Sequence, residues 1–234
     1  MDPVTSILAI VAIIVGAGAL FGWFDRARFR PQWLLLGGLL ILLNDAALTN
    51  LYGFLPTPLP GEWNWQGKLL ALAITLAVAG RIGWRESGLT LRQRKEGRPL
   101  TWAVFVLAAA LFAGLALMSE GEGADAETLA FQWTIPGLEE EAFYRGVLLL
   151  AFDRALGVRR MLGTELGWGG LLVTLAFGLA HAFSIDSGAV EFDPLSFALT
   201  AFPSLILLWL RARTGSLALP VVAHNLANGL DLVI

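Results

Sequence analysis

The sequence predicts an all-α fold, a polytopic transmembrane helical bundle of about eight spans. Apolar residues make up 56% of the 234 positions and charged residues only 15%, against about 45–50% and about 25% in ordinary soluble domains. Long uncharged runs alternate with short charged clusters. Apolar runs of about 20 residues cross a bilayer as helices, because a helix satisfies its own backbone hydrogen bonds. The composition excludes a disordered chain, a water-soluble enzyme and a nucleic-acid binder driven by positive charge.

Eight predominantly apolar runs define the predicted membrane helices in chain order. They lie at residues 4–24, 32–50, 66–83, 100–118, 129–151, 167–184, 195–210 and 215–233. We expect every run to be helical, since none shows the ten-residue alternation of a barrel strand.

The loop charges predict how these spans are oriented in a cell membrane. The loops after odd-numbered spans hold 14 of the 16 Lys and Arg residues, whereas the remaining loops and the N-terminus are acidic, with Lys68 as their only basic residue. Cytoplasmic loops carry the excess of Lys and Arg. We therefore expect a multi-pass protein with its N- and C-termini outside the cytoplasm. The N-terminus has no basic region, so no signal peptide should be cleaved.

Two further features of the composition narrow the chemistry and the source. The chain has no cysteine, which excludes a thiolate nucleophile and a Cys-ligated metal. The strong excess of Arg over Lys is typical of a GC-rich, bacterial coding sequence.

A few ionisable residues fall inside the predicted spans, where a central charge costs roughly 2.5 to 3.5 kcal/mol on insertion scales. They are Asp45, Glu139, Glu140, Glu141, Arg145, His181, His224 and Asp231. We expect Asp231 at the membrane interface, and Asp45, beside Asn44, in a polar contact between helices with no role in chemistry. Glu139 is either a third acid of a wet cavity or a side chain that extends to the interface.

The fifth predicted span carries most of these charges. Glu141 and Arg145 are four residues apart, so they lie on one helix face and can form an ion pair. Glu140 is rotated by about 100° from Glu141 and is less well placed for that pair, which leaves its carboxylate to face something else. Pro136 and Gly137 predict that the helix starts afresh or kinks just upstream.

Three spaced motifs lie on the later spans. They are Glu140-Glu141-x-x-x-Arg145, Phe177-x-x-x-His181 and His224-x-x-x-Asn228, and they use both histidines of the chain. In this order they resemble the signature of the CPBP family, the CAAX prenyl proteases (type II CAAX endopeptidases) and bacteriocin-processing intramembrane proteases. The resemblance covers roughly residues 100–234. We therefore divide the chain into three N-terminal helices with a basic loop, residues 1–98, and a CPBP-like catalytic core, residues 99–234.

The resemblance implies an intramembrane endopeptidase. In it Glu140 and His181 would activate a water molecule, and His224 and Asn228 would stabilise the oxyanion. Glu141 and Arg145 would form the structural pair that orients the helix. The implied partners are the lipid bilayer and a peptide or protein substrate, such as a lipidated peptide or a leader peptide, and no nucleic acid.

The family has been described both as metalloproteases and as metal-free glutamate proteases. Glu140, His181 and His224 would supply the ligands of a catalytic zinc ion. Because the sequence has no His-Glu-x-x-His motif, we expect that no cofactor is required, with zinc as the alternative.

Two other functions compete with the protease. A non-catalytic member of the same family would act as a membrane scaffold or bacteriocin-immunity protein. A secondary transporter would also carry midplane carboxylates and histidines, although the sequence shows no inverted repeat.

Overall fold

The computed structural model describes residues 2–55, 59, 61–95, 97–118 and 123–233. Their fold is helical, with two short β-hairpins. The helices are α1 (Pro3–Phe24), α2 (Pro31–Thr49), α3 (Trp65–Ile82), α4 (Arg98–Ala116), α5 (Ala126–Gln132), α6 (Ile135–Glu140), α7 (Leu149–Leu156), α8 (Trp168–Ala182), α9 (Pro194–Thr214) and α10 (Ala218–Gly229). The strands are β1 (Arg159–Met161), β2 (Thr164–Leu166), β3 (Phe183–Asp186) and β4 (Ala189–Phe192). Short 3₁₀ turns occupy Leu51–Phe54 and Leu230–Leu232.

The predicted all-helical fold is confirmed, but a count of about eight spans is not. Within the described residues, α1, α2, α4 and α9 are long and apolar enough to cross a membrane, and α8 is a shorter apolar helix. The other predicted spans do not reach that standard as single α-helices. The fifth is divided between several segments, and α10 at the eighth has only 12 residues.

Helix starts follow local sequence signals. Proline occupies the first turn of α1, α2, α4, α6 and α9, where its missing N–H costs no hydrogen bond. Asp2, Asn64, Asp125 and Asp193 accept hydrogen bonds from backbone N–H groups in the first turns of α1, α3, α5 and α9. Such caps satisfy donors that the helix itself leaves unpaired.

Between α6 and α7 the chain is wound as a π-helix over Glu141–Leu148. The three segments form one continuous helical stretch that begins after a break at residues 133–134, where the sequence predicts a fresh start before Pro136 and Gly137. All eight residues of the π segment are buried. It contacts α3, α8 and α10, so it lies at the centre of the bundle. π-Helical segments are rare and often occur at functional sites.

Contacts between loops join the connections at one end of the bundle. Arg159 in β1 pairs with Asp25 after α1 at 2.9 Å, and Arg94 pairs with Glu165 in β2 at 3.2 Å. The backbone N–H of Arg94 also donates to Thr214 at the end of α9, at 2.8 Å. The loops after the first, third, fifth and seventh predicted spans are therefore neighbours.

The opposite end holds another set of contacts. The backbone N–H of Asp2 donates to the carbonyl of Ile185 in β3 at 2.8 Å, and that of Glu62 donates to the Glu127 carboxylate at 3.1 Å. The hairpin β1–β2 precedes α8 and the hairpin β3–β4 follows it. The two hairpins therefore lie at opposite ends of this helix.

Candidate active site

A cavity of about 230 Å³ lies between α1, α2, α3, α6, α8 and the π segment. It is large enough to admit water molecules. Its polar lining consists of Asn44, Asp45, Thr49, Lys68, Glu139, Glu140, Tyr144 and His181. Half of these residues come from α2 and α3, helices that carry no motif.

Lys68 binds two of the three consecutive glutamates. Its ammonium nitrogen lies 2.7 Å from Glu139 Oε2 and 2.7 Å from Glu140 Oε1. The Glu139 side chain is fully buried and that of Glu140 is 14% exposed. Glu139 therefore lines the cavity as a buried, paired acid and does not extend to the interface. From the sequence, Lys68 is only one of the loop charges, and no pattern predicts these two contacts.

His224, in α10, lies between the carboxylates of Glu140 and Glu141. Its Nδ1 is 2.7 Å from Glu141 Oε1, and its Nε2 is 3.5 Å from Glu140 Oε2. The imidazole is buried. Since the Glu141 carboxylate only accepts hydrogen bonds when ionised, Nδ1 is the donor and Nε2 points towards Glu140.

The ion pair predicted within the Glu-Glu-x-x-x-Arg motif is present. Arg145 Nη1 donates to Glu141 Oε1 at 2.7 Å, and both side chains are fully buried. Arg145 Nη2 also donates to Ser204 of α9 at 2.8 Å, and the guanidinium lies over the ring of Phe177, 4.4 Å from its centroid. The contacts with Phe177 and Ser204 tie the π segment to α8 and α9.

Phe177 packs between the aromatic groups of the site. Its ring centroid is 5.0 Å from that of Tyr144, 4.5 Å from that of His181 and 6.1 Å from that of His224. The Phe177 carbonyl accepts a hydrogen bond from His181 Nδ1 at 2.7 Å, which leaves Nε2 free to bind a water molecule or substrate. His181 is exposed at the mouth of the cavity. No hydrogen bond joins it to Glu140 in the described part of the chain.

Of the predicted catalytic residues, His181 lines the cavity with Glu140, whereas His224 lies outside the lining and contacts Glu140 and Glu141. Asn228 makes no such contact within the described residues. It is partly buried on α10 and does not line the cavity. The amide that contacts the glutamate-bearing helix is Asn225, whose Oδ1 accepts from the backbone N–H of Gly137 at 3.1 Å. A Cβ at Gly137 would lie 2.1 Å from that oxygen, so glycine is needed for this close approach. Nothing in the sequence distinguishes Asn225 from its neighbours.

The two remaining acidic candidates lie in different surroundings. Asp231 is exposed in the C-terminal 3₁₀ turn, as expected of an interfacial residue. Asp45, expected from the sequence to have no role in chemistry, lines the cavity. The neighbouring Asn44 is buried, and its Oδ1 has no hydrogen-bond partner in the described structure.

Glu140, His181 and His224 do not form a zinc site in this arrangement. Glu140 Oε2 and His224 Nε2 are close enough for two ligands of one tetrahedral ion. However, nowhere in the described structure do three His, Cys, Asp or Glu side chains come together in a way that could hold a metal ion. His181 does not complete the set.

Residues 123–230 match the family model described as Type II CAAX prenyl endopeptidase Rce1-like. The family resemblance is confirmed for this segment. The matched segment contains the three motifs and the π segment, whereas Lys68 and Asp45 lie outside it. No curated protein and no solved structure matches the chain. The match to a membrane protease family and the presence of four membrane-length apolar helices among the described residues both agree with the high apolar content of the sequence.

Proposed function

We propose that the protein is an intramembrane endopeptidase that hydrolyses a peptide bond of a membrane-associated peptide or protein. The observation that carries this proposal is the position of His224. Its imidazole bridges the two glutamates of the first motif, and Glu140 shares the adjoining cavity with His181. Carboxylates and imidazoles around a space that admits water are suited to activating water for attack on a carbonyl.

In the proposed reaction, His181 Nε2 and Glu140 Oε2 hold the water molecule. Glu140 accepts a proton from the water as its oxygen bonds to the carbonyl carbon of the substrate. His224, oriented through Nδ1 by Glu141, donates to the resulting oxyanion from Nε2, which requires a proton on both ring nitrogens. The carbon–nitrogen bond then breaks, and Glu140 returns the proton to the leaving amine. The role of Asn228 as a second oxyanion donor requires α10 to move towards the cavity.

We further propose that the chain spans a cell membrane eight times with both termini outside the cytoplasm. The loop contacts support this arrangement. The basic loops after odd-numbered spans contact one another, and the N-terminal residue Asp2 contacts a hairpin at the opposite end. The basic end would therefore face the cytoplasm.

The proposed substrate is a peptide segment, either lipidated or a leader peptide. Because the three candidate ligands do not form a zinc site, the proposed reaction uses only side chains of the protein.

Peptide cleavage by the purified protein tests the proposal. Prenylated CAAX peptides and leader peptides would be incubated with wild-type protein, with Glu140→Gln and with Glu191→Gln. Glu191 is exposed in β4 and serves as a matched control for the same chemical change. We expect wild type and the control to cleave, and Glu140→Gln to lose about 10²–10⁴ in rate because an amide cannot accept the proton. Full activity of Glu140→Gln would refute the proposal, and failure of folded wild type to cleave any peptide would favour the scaffold or immunity role.

A further inference from the structure

Lys68 connects the unmatched N-terminal part of the chain to the proposed general base. It lies in the first turn of α3, outside the segment that matches the family model. Its contact with Glu140 joins residues 72 positions apart. The ammonium group of this lysine is therefore brought to Glu140 by tertiary packing, as α3 contacts both α6 and the π segment.

The two oxygens of Glu140 have different partners. Oε1 accepts the hydrogen bond from Lys68 at 2.7 Å, while Oε2 faces His224 Nε2 at 3.5 Å. A charge-assisted bond of this length holds one carboxylate oxygen firmly. Water activation is then left to Oε2.

The backbone that carries Lys68 is itself anchored. Asn64 caps α3 by accepting from the Gly67 N–H at 2.9 Å. The Trp65 indole donates to Glu127 at 3.1 Å and packs edge-on against Phe131 of α5. These contacts hold the first turn of α3 against the helix that precedes the acidic motif.

We infer that Lys68 is a positioning residue that orients the Glu140 carboxylate, so that Oε2 faces the water-binding side of the cavity. This inference rests on the proposed function. The competing explanation is that Lys68 only neutralises Glu139, whose Oε1 is buried without a hydrogen-bond partner among the described residues. The two explanations predict different results when Glu139 also loses its charge.

A charge-balanced mutant cycle separates them. Lys68, Glu139 and Glu140 carry a net charge of −1 when all three are ionised. Lys68→Met changes this net charge to −2. The double variant Lys68→Met/Glu139→Gln restores −1, but Glu140 no longer has its hydrogen bond from Lys68. If Lys68 positions Glu140, the double variant remains about 10²-fold below Glu139→Gln in kcat with KM unchanged, the typical cost of a misplaced reacting group. Recovery of kcat to the level of Glu139→Gln would overturn the inference.

Two further measurements, thermal unfolding and the kinetics of Lys68→Arg, keep the test conclusive if a variant does not fold. Thermal unfolding in detergent identifies variants that do not fold. If Lys68→Met is one of them, the double variant and Lys68→Arg, which both keep the net charge, carry the test. Lys68→Arg should retain more kcat than the double variant, because a guanidinium still donates to Oε1. A rise in KM with unchanged kcat in the lysine variants would show that Lys68 binds substrate and would also overturn the inference.

The wild type and Glu140→Gln distinguish the failure of this inference from that of the proposed function. If wild type cleaves, Glu140→Gln does not, and Lys68→Met/Glu139→Gln cleaves as fast as Glu139→Gln, only the positioning role is wrong. If Glu140→Gln cleaves as fast as wild type, the proposed function itself fails.

Discussion

His224 Nδ1 lies 2.7 Å from Glu141 Oε1, although 83 positions separate the two residues. The same oxygen accepts a hydrogen bond from Arg145. The first and third motifs therefore meet at a single carboxylate. This arrangement makes Glu141 the link that orients the imidazole of His224 towards Glu140.

The buried pair of Glu141 and Arg145 predicts a strong effect on stability. Arg145→Met leaves Glu141 charged and without its guanidinium partner inside the bundle. Breaking one side of a buried pair typically costs 3–5 kcal/mol, so we expect a loss of about that size in the free energy of unfolding in detergent. Arg160→Met is a matched control, because Arg160 is exposed and surface substitutions usually change stability by about 0.5 kcal/mol or less.

The double variant Glu141→Gln/Arg145→Met tests the cause of that loss. Removing both charges leaves no unpaired ion, so the double variant should be more stable than Arg145→Met alone. Equal stability of the two would show that the guanidinium acts mainly through its contacts with Ser204 and Phe177.

Two asparagines of α10 should respond differently to substitution. Asn228→Ala removes a proposed oxyanion donor and should lower kcat by about 10²–10³-fold without unfolding the protein. Asn225→Ala removes the hydrogen bond to Gly137 and should lower the unfolding temperature. Full activity of Asn228→Ala would withdraw that residue from the site, in agreement with its position outside the cavity lining.

Metal chelation tests the proposed absence of a required cofactor. Prolonged treatment with a zinc chelator should leave the wild type active if Glu140 acts as the general base alone. If a metal supplies the nucleophile, chelation should abolish activity and added zinc should restore it, and both His181→Ala and His224→Ala should lose bound metal. Direct metal analysis of the purified protein provides a readout independent of turnover.

Single-cysteine labelling tests the membrane orientation. The chain has no native cysteine, so an introduced one is the sole thiol. Glu191→Cys in β4 and Arg160→Cys in β1 lie at opposite ends of α8. A membrane-impermeant maleimide should label Glu191→Cys in intact cells and Arg160→Cys only after permeabilisation. The reverse pattern would invert the proposed topology, and labelling of both in intact cells would contradict it.

The features that the sequence predicts are those set by local geometry. Hydropathy locates the apolar helices, because the apolar content of each stretch by itself determines whether that stretch can be buried in lipid or protein. The ion pair of Glu141 and Arg145 follows from their spacing on one helix face. The start of α6 follows from Pro136.

The features that sequence analysis misses depend on packing between distant segments. Lys68 reaches Glu140 only because α3 packs on the helix that carries the motif. No pattern marks the π winding of Glu141–Leu148, and the hairpins have strands of only three or four residues. The first three helices match no motif, yet they supply more than half of the residues that line the cavity.

The π winding also sets the rotation of α6 relative to α7 about the axis of the continuous helical stretch that they form with the π segment. Residues 135–140 and 149–156 are α-helical on either side of it, so the looser turns set the angle at which Glu139 and Glu140 project relative to Phe152, a fully buried residue of α7. If the same eight residues wound as a regular α-helix, each would contribute a larger rotation about the helix axis, and the glutamates would turn relative to α7. The acids would then point away from Lys68 and His224 while the hydrophobic anchoring of α7 remained in place.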